Sequence, residues 1–165
     1  MHAITTTVSP FATSIFSMNQ ILSPTPKRFQ MTELALNLVL DSHPKSIAEV
    51  EPFVLQVVKE YTINESIFGN ILITLTEAVS NAIIHGNQAK SGKKVIVSTH
   101  TVNNCIVFTV EDEGIGFDPN SLPDPTAPEN ILTPGGRGVF LMQHLSDKVS
   151  YAAGGRIVQL EFNLQ

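Results

Sequence analysis

Glu77, Asn81 and His85 stand at intervals of four, so on a helix they lie one turn above another along one side. Asn70 and Thr74 extend the same row. On a helical wheel Phe68, Leu72, Leu75, Val79 and Ala82 form one apolar stripe, and Ile73 and Ile84 fall nearly opposite. A helix face turned to open water is usually crowded with Lys and Glu. This row holds one charge among amides and hydroxyls, with apolar flanks on both sides, which is the profile of a polar row facing a cavity. An asparagine carboxamide oxygen is a hard ligand suited to Mg²⁺, an ion that keeps several waters and leans on substrate phosphates. A carboxylate one turn away can accept the proton of an attacking hydroxyl or water. Taken alone, the row is equally a surface glutamate with a helix-interior asparagine. His85 closes it, where an imidazole at a helix end most simply interacts with the last carbonyls.

Two glycine-bearing segments follow. Glu111-Asp112-Glu-Gly114-Ile-Gly116-Phe117 directly succeeds an apolar run, so Asp112 sits where a strand leaves its sheet. A carboxylate there can accept a hydrogen bond from an exocyclic amine such as the 6-amino group of adenine. Gly114 and Gly116 let the backbone come close to a flat ring. Gly135-Gly136-Arg137-Gly138-Val-Phe140-Leu then enters a helix, where free backbone N–H groups and the helix dipole favour an anion and Arg137 adds charge. Each segment alone is also an ordinary glycine turn. In this order they describe a pocket for a nucleoside triphosphate and its magnesium ion. It is not a P-loop, because no Gly-x-x-x-x-Gly-Lys-Ser/Thr occurs.

The elements that must position these residues are legible in the hydrophobic period. Leu34, Leu36, Leu38 and Leu40 alternate as a half-buried strand. Ser46 and Glu49 have the spacing of a capping box, opening a helix whose buried stripe is Ile47, Val50, Phe53, Val54, Val57 and Tyr61. Asn64 caps a second helix that runs to Gly86. Val95, Val97 and Thr99 share one strand face, Asn103-Asn104 suits a hairpin turn, and Ile106, Phe108 and Val110 share a face of the returning strand. Residues 117–134 hold five of the ten prolines and read as a lid or binding loop. A short helix follows, offering Phe140, Leu141 and Leu145 for burial. A last hairpin turns at Gly154-Gly155 and ends in a strand with Val158, Leu160, Phe162 and Leu164 alternating. The order β-α-α-β-β-lid-α-β-β predicts one sheet covered on one face by three helices.

Bulk composition bounds the rest. The 165 residues make one domain over 31–165, after a Ser/Thr/Pro-rich flexible extension over 1–30. A net charge of −5 without a basic stripe argues against direct nucleic-acid binding. No apolar stretch approaches the ~18 residues that span a bilayer, and residues 1–30 lack the pattern of a signal peptide. The single cysteine, Cys105, reads as a buried strand thiol. A cytoplasmic protein without membrane attachment is the simplest fit.

The three segments together resemble the N box and the two glycine boxes of the GHKL ATPases, the superfamily of gyrase and the histidine kinases. Within it the compact layout is most similar to the anti-sigma factor serine/threonine kinases, through Glu77-x-x-x-Asn81-Ala-Ile-Ile-His85-Gly86 and Gly138-Val139-Phe140-Leu-Met. The resemblance covers roughly residues 32–164. It implies a Bergerat-type α+β sandwich whose one mixed, mostly antiparallel sheet is covered on one face by three helices, with ATP and Mg²⁺ bound beneath a lid. Carried over, Asn81 would hold magnesium, Glu77 would be the base and Asp112 would read adenine. Gly114, Gly116, Gly136 and Gly138 would line the nucleotide, and His85, Arg137, Val139 and Phe140 belong to the same motifs. Kinases of this type phosphorylate a small anti-anti-sigma antagonist, sequester a sigma factor and usually form homodimers. One departure stands out. Related chains often carry a Thr near the phosphates at the start of the last strand, where this chain has Gly155-Arg156-Ile157. Two other functions fit less well. A nucleotide-gated binding module without catalysis would not need Glu77. A histidine kinase would need a preceding phosphoacceptor helix, which the sequence is not expected to supply.

Overall fold

The computed structural model describes residues 4–7, 35–118 and 137–164. Six strands lie in the order β1-β2-β3-β4-β6-β5: β1 Ile4–Thr7, β2 Ala35–Asp41, β3 Lys94–Val102, β4 Cys105–Asp112, β5 Lys148–Ala152 and β6 Ile157–Asn163. The sheet, expected to be mixed and mostly antiparallel, is antiparallel at every pairing among the described residues. Three helices pack on one face: α1 Val50–Glu60, α2 Phe68–Asn81 and α3 Arg137–Leu145. β1 is an element that the sequence reading did not place. It adds to the edge of β2 with Ile4 opposite Leu38 and Thr6 opposite Leu36.

The alternating residues are buried as their period requires. Leu36, Leu38 and Leu40, Val95 and Val97, Ile106, Phe108 and Val110, and Val158, Leu160 and Phe162 all face the helices. They meet Phe53, Val54 and Val57 of α1 and Ile71, Leu75, Ala78 and Val79 of α2. Each fully buried side chain of this size contributes roughly 1.5–3 kcal/mol. Thr99, also on the buried face, is satisfied by the Leu36 backbone and by Tyr61, whose hydroxyl lies 3.1 Å from Thr99 Oγ1. Asn103 and Asn104 both take positive φ, 48° and 63°, as a tight hairpin with the right-handed strand twist demands. Cys105 is buried, as expected, and its thiol lies 3.1 Å from Asn163 Oδ1.

Three local expectations change. Ser46 and Glu49 do not cap α1. Residues Pro44–Glu49 form a 3₁₀ turn, opened by His43, whose Nδ1 accepts from the Lys45 N–H at 3.1 Å. Asn64 does act as a cap, but of the 3₁₀ turn Glu65–Ile67 that leads into α2. In α3 the core residue is Met142, while Phe140, Leu141 and Leu145 are only half-buried. A fourth concerns hydropathy: Glu65–Gly86 is long and apolar enough to cross a bilayer by composition, with a mean hydropathy of 1.5. It is instead a core helix, with Ile71, Leu75 and Val79 fully buried in the single core.

Helix α2 ends in a π turn over Ala82–Gly86. Its wide spiral closes with the Asn87 N–H donating to Ala82 O at 2.8 Å, five residues back. This delivers Asn87, which is wholly buried, to the start of β3 and the exit of β4. Its Nδ2 donates to Lys94 O and its Oδ1 accepts from the Glu113 N–H, each at 2.8 Å. One side chain therefore ties the end of α2 to both strands beside Asp112. Asn87→Ala leaves the Glu113 N–H and the Lys94 C=O, both part-buried, without their protein partner. We expect a loss of about 1–3 kcal/mol, read as a lower denaturant midpoint, with faster amide exchange at residues 112–114 than elsewhere. A stability within 0.5 kcal/mol of wild type (the range of about ±0.5 typical of surface changes) would show that water replaces the clamp.

Candidate functional site

Between α2, α3 and the sheet lies a cavity of about 340 Å³, at the lower end of the range for small-molecule sites. Its floor is apolar, made by Val110 and Val158 of neighbouring strands and Met142 of α3. Ala78 and Ala82 of α2 keep one wall low, and Asn81 and His85 supply that wall's polar row. Thr74, expected in this row, is instead fully buried, its hydroxyl donating back to Asn70 O at 2.8 Å. Asn70 is half-buried one turn before Thr74.

At one end stands Asp112, only 7% exposed. Its Oδ1 accepts from the Gly114 N–H at 2.7 Å, and its own N–H donates to Arg156 O at 3.0 Å. Burial pushes its carboxyl pKa up, opposed by the Gly114 hydrogen bond and by the positive charges of Arg156 and Lys93. The backbone closes tightly around it. A Cβ at Gly114 would lie 2.1 Å from Gly86 O, and one at Gly86 would lie 2.5 Å from the Asp112 carboxyl carbon. Gly116 has φ of 78° and a neighbour, Gly154 O, 2.0 Å from where a Cβ would be, so only glycine fits.

At the other end Gly138, in the first turn of α3, meets α2. A Cβ there would lie 2.4 Å from Glu77 Oε2 and 3.5 Å from Asn81 Nδ2. The start of α3 thus rests directly on the carboxylate and the carboxamide. Glu77 and Gly86 are separated by nine residues of α2 and its π turn, or roughly 13 Å of helix axis. That is the separation between the acidic end of the cavity and its Glu77 end.

Among the predicted site residues, Asn81, His85, Asp112, Gly116, Gly138 and Val139 line the cavity. Gly114 supports Asp112 from behind, and Glu77 joins through Gly138. Arg137 is exposed at the start of α3, and Phe140 turns to stack on His144 at 3.8 Å. Gly136 and the expected lid from residue 119 onward lie outside the described residues. Phe117, quoted with its segment but given no role, and Arg156, noted as a departure, also line the cavity, and Tyr151 is a lining residue that the sequence reading missed. Phe117 meets Tyr151 edge-on at 5.6 Å, and the Tyr151 hydroxyl is buried with no hydrogen-bond partner among the described residues. The signal for Tyr151 is absent from the sequence, because its alternation on β5 marks burial and not a cavity.

The donor set suits magnesium in its substrate-bound form. No group of three His, Cys, Asp or Glu that could hold a metal occurs among the described residues, so no all-protein cage is present there. Asn81, with the Glu77 carboxylate alongside, offers hard oxygens where α2 meets Gly138 at the start of α3. Mg²⁺ is normally held in this way, by one or two protein oxygens with the remaining positions taken by water and phosphate.

Comparison with known proteins agrees with this geometry. The model of the histidine kinase-like ATPase domain matches residues 40–162. An anti-sigma F factor of Bacillus subtilis (strain 168) is 36% identical over 84 residues, covering 48% of this chain and 56% of the relative. Anti-sigma F factors of Bacillus licheniformis, 33% identical over 84 residues (48% of this chain, 56% of the relative), and Clostridium perfringens (strain SM101 / Type A), 43% identical over 49 residues (30% of this chain, 35% of the relative), are similar too. The chain spans about half the length of the Bacillus relatives it matches. With three quarters of its residues inside the family match, this chain belongs to the histidine kinase-like ATPase domain family of the GHKL superfamily.

Proposed function

We propose that this chain is an ATP-dependent serine/threonine protein kinase that works as a partner-switching anti-sigma factor. It phosphorylates a small anti-anti-sigma antagonist and, in its alternate state, holds a sigma factor. By the same resemblance it acts as a homodimer in the cytoplasm. The observation that supports catalysis is the Glu77 carboxylate, set against Gly138 at the start of α3 and one turn from Asn81. A pure nucleotide sensor has no use for a base at that place.

In this reading Asp112 accepts a hydrogen bond from the 6-amino group of adenine, and Val110, Val158 and Met142 give the base an apolar seat. The phosphates run along α2 towards Gly138, where backbone N–H groups at the start of α3 meet them. Asn81 holds Mg²⁺, which supplies neutralisation of the triphosphate charge. Glu77 takes the proton of the attacking serine or threonine hydroxyl as its oxygen bonds to the γ-phosphorus and the bond to the bridging oxygen breaks, releasing ADP. Phosphoryl transfer rests mainly on positioning and charge, so the base contributes a part of the acceleration.

Three outcomes test the reading. Glu77→Gln keeps size and hydrogen bonding but removes the base. It should bind ATP nearly as wild type and transfer phosphate to the antagonist at least about a hundredfold more slowly. The measurement is single-turnover transfer from radiolabelled ATP, with antagonists drawn from the same genome. Equal rates would remove Glu77 from the mechanism, and no transfer from either protein despite tight ATP binding would leave a binding module.

Asn81→Ala should fold normally and lose the strengthening of ATP affinity by magnesium. Calorimetric titrations with Mg²⁺ and with a chelator measure this. An unchanged magnesium effect would make Asn81 structural.

Asp112→Asn exchanges an acceptor-only carboxylate for a group that also donates, and should weaken ATP binding by about 1–3 kcal/mol. The stability change has the opposite sign. Burial raises the folded pKa of Asp112, so ionisation at neutral pH opposes folding. The asparagine variant should therefore be the more stable protein at neutral pH. Its advantage should vanish as pH falls to the unfolded pKa, where both states of wild type carry the proton. In wild type the acid limb of ATP affinity should lie above that of an ordinary aspartate, and it should be absent from the variant. A parallel pH dependence of the two proteins would remove Asp112 from base recognition.

A further inference from the structure

Glu77 stands at the boundary between two faces of α2. Viewed down the helix, Asn81 and His85 lie to one side of it and line the cavity. Ile73, Ser80 and Ile84 lie to its other side, opposite the core-facing Ile71, Leu75 and Val79. Ile73 is 45% exposed and Ile84 43%, while Ser80 between them is half-buried. Neither α2 nor its π turn contains a lysine, an arginine or an aspartate, so Glu77 is the one acid or strong base on this stripe. Along the axis Ile73 stands roughly 6 Å before Glu77, and Ile84 roughly 10 Å beyond it. Two exposed isoleucines thus bracket the carboxylate on the side of the helix turned away from the cavity.

We propose that this stripe is the surface on which the phosphate-accepting antagonist docks, with apolar side chains of that protein against Ile73 and Ile84 and its acceptor serine or threonine over Glu77. This rests on the kinase reading and deepens it, by naming the surface that selects the protein substrate. The nucleotide takes the cavity side of Glu77, so the acceptor hydroxyl has to arrive from the other side, across the outer face of α2. A protein that brings a hydroxyl within hydrogen-bond reach of that carboxylate also covers the helix one to two turns on either side of it. Isoleucines in that footprint leave water on docking and add affinity. Their branched side chains have few rotamers to lose, so the ordering cost is small. An acidic acceptor segment finds no cation on the stripe and meets the charge of Glu77. The stripe therefore fits an acceptor flanked by apolar groups, about 6 Å away on one side and about 10 Å on the other. Ile73 and Ile84 are not part of the cavity wall, which separates this contact from nucleotide binding.

The single-turnover assay, run over a range of antagonist concentrations on wild type and on the double variant Ile73→Ser, Ile84→Ser, tests this. Both residues are exposed, so the variant should fold, and thermal unfolding checks that it does. The variant should need roughly tenfold more antagonist for half-maximal transfer and reach the wild-type rate at saturation. Its affinity for ATP by calorimetry should equal that of wild type. An antagonist whose exposed apolar residues flanking the acceptor are replaced by serine reads the same contact without altering this chain. It should show the same loss with wild type and no further loss with the double variant. Additive losses would show that the two sets of residues do not meet, and would overturn the inference. So would a double variant with the wild-type dependence on antagonist concentration. A loss that follows a weakened homodimer, measured by sedimentation at the assay concentrations, would place a second copy on the stripe and overturn it as well. A wild type that binds ATP yet transfers phosphate to no antagonist would instead overturn the kinase reading, and the role of the stripe with it.

Discussion

Asn87 holds the architecture of the site together. A buried carboxamide must satisfy its donors and its acceptor within the protein, and Asn87 does so by bonding the carbonyl of Lys94 and the N–H of Glu113. One partner opens β3 and the other follows the end of β4, and Asn87 itself follows the π turn of α2. The end of α2 is therefore fixed over the ends of β3 and β4. That fixation is what allows Gly86, Asp112 and Gly114 to approach as closely as they do. With the helix end held, the polar row from Glu77 to His85 has one orientation over the sheet, and the cavity has a constant width.

The cavity works against folding in two places. Asp112 is buried with one backbone hydrogen bond to its carboxylate, and the shift in its pKa records the cost of desolvation. The Tyr151 hydroxyl is buried without a partner among the described residues, which costs about 1–3 kcal/mol for a group of this kind. Both groups line the same cavity, and both would gain from a polar ligand placed against its apolar floor. The large apolar core supplies the stability that tolerates both.

The sequence was legible wherever one face of an element is buried and the other is not. Leucines 36, 38 and 40 and the run Ile106, Phe108, Val110 could only be strands facing a core, because a one-residue slip would expose them all. The polar row of α2 was visible because Glu77, Asn81 and His85 recur at helical spacing without the usual charges. What failed were features set by local competition. The Ser46–Glu49 spacing looked like a capping box, but Pro44 and His43 captured the chain first and made a 3₁₀ turn. Thr74 looked like a cavity residue, but its hydroxyl bonds the Asn70 carbonyl, so it could be buried without any distant partner. Asn87 was illegible because its partners are seven and twenty-six residues away. Arg156 stood out in the sequence only as a departure, and its place in the cavity wall was not legible for a related reason. Its position depends on how the β5–β6 turn folds back over Gly116, and pairing alone does not encode that.

The two ends of the cavity differ in the kind of residue that builds them, and this bears on how such a domain can vary. The Glu77 end is made by side chains of one helix and the backbone start of another, so its geometry follows from helix packing. A change there shifts the contact between the two helices. The Asp112 end is made by loop residues, Gly114, Gly116 and Arg156, around a carboxylate fixed by the sheet and by Asn87. Loops on a rigid scaffold accept substitution with little effect on packing. An arginine can therefore stand at this end without altering the core, the polar row of α2 or the start of α3. The Asp112 end is where a chain of this fold can change what it meets while its Glu77 end stays as it is.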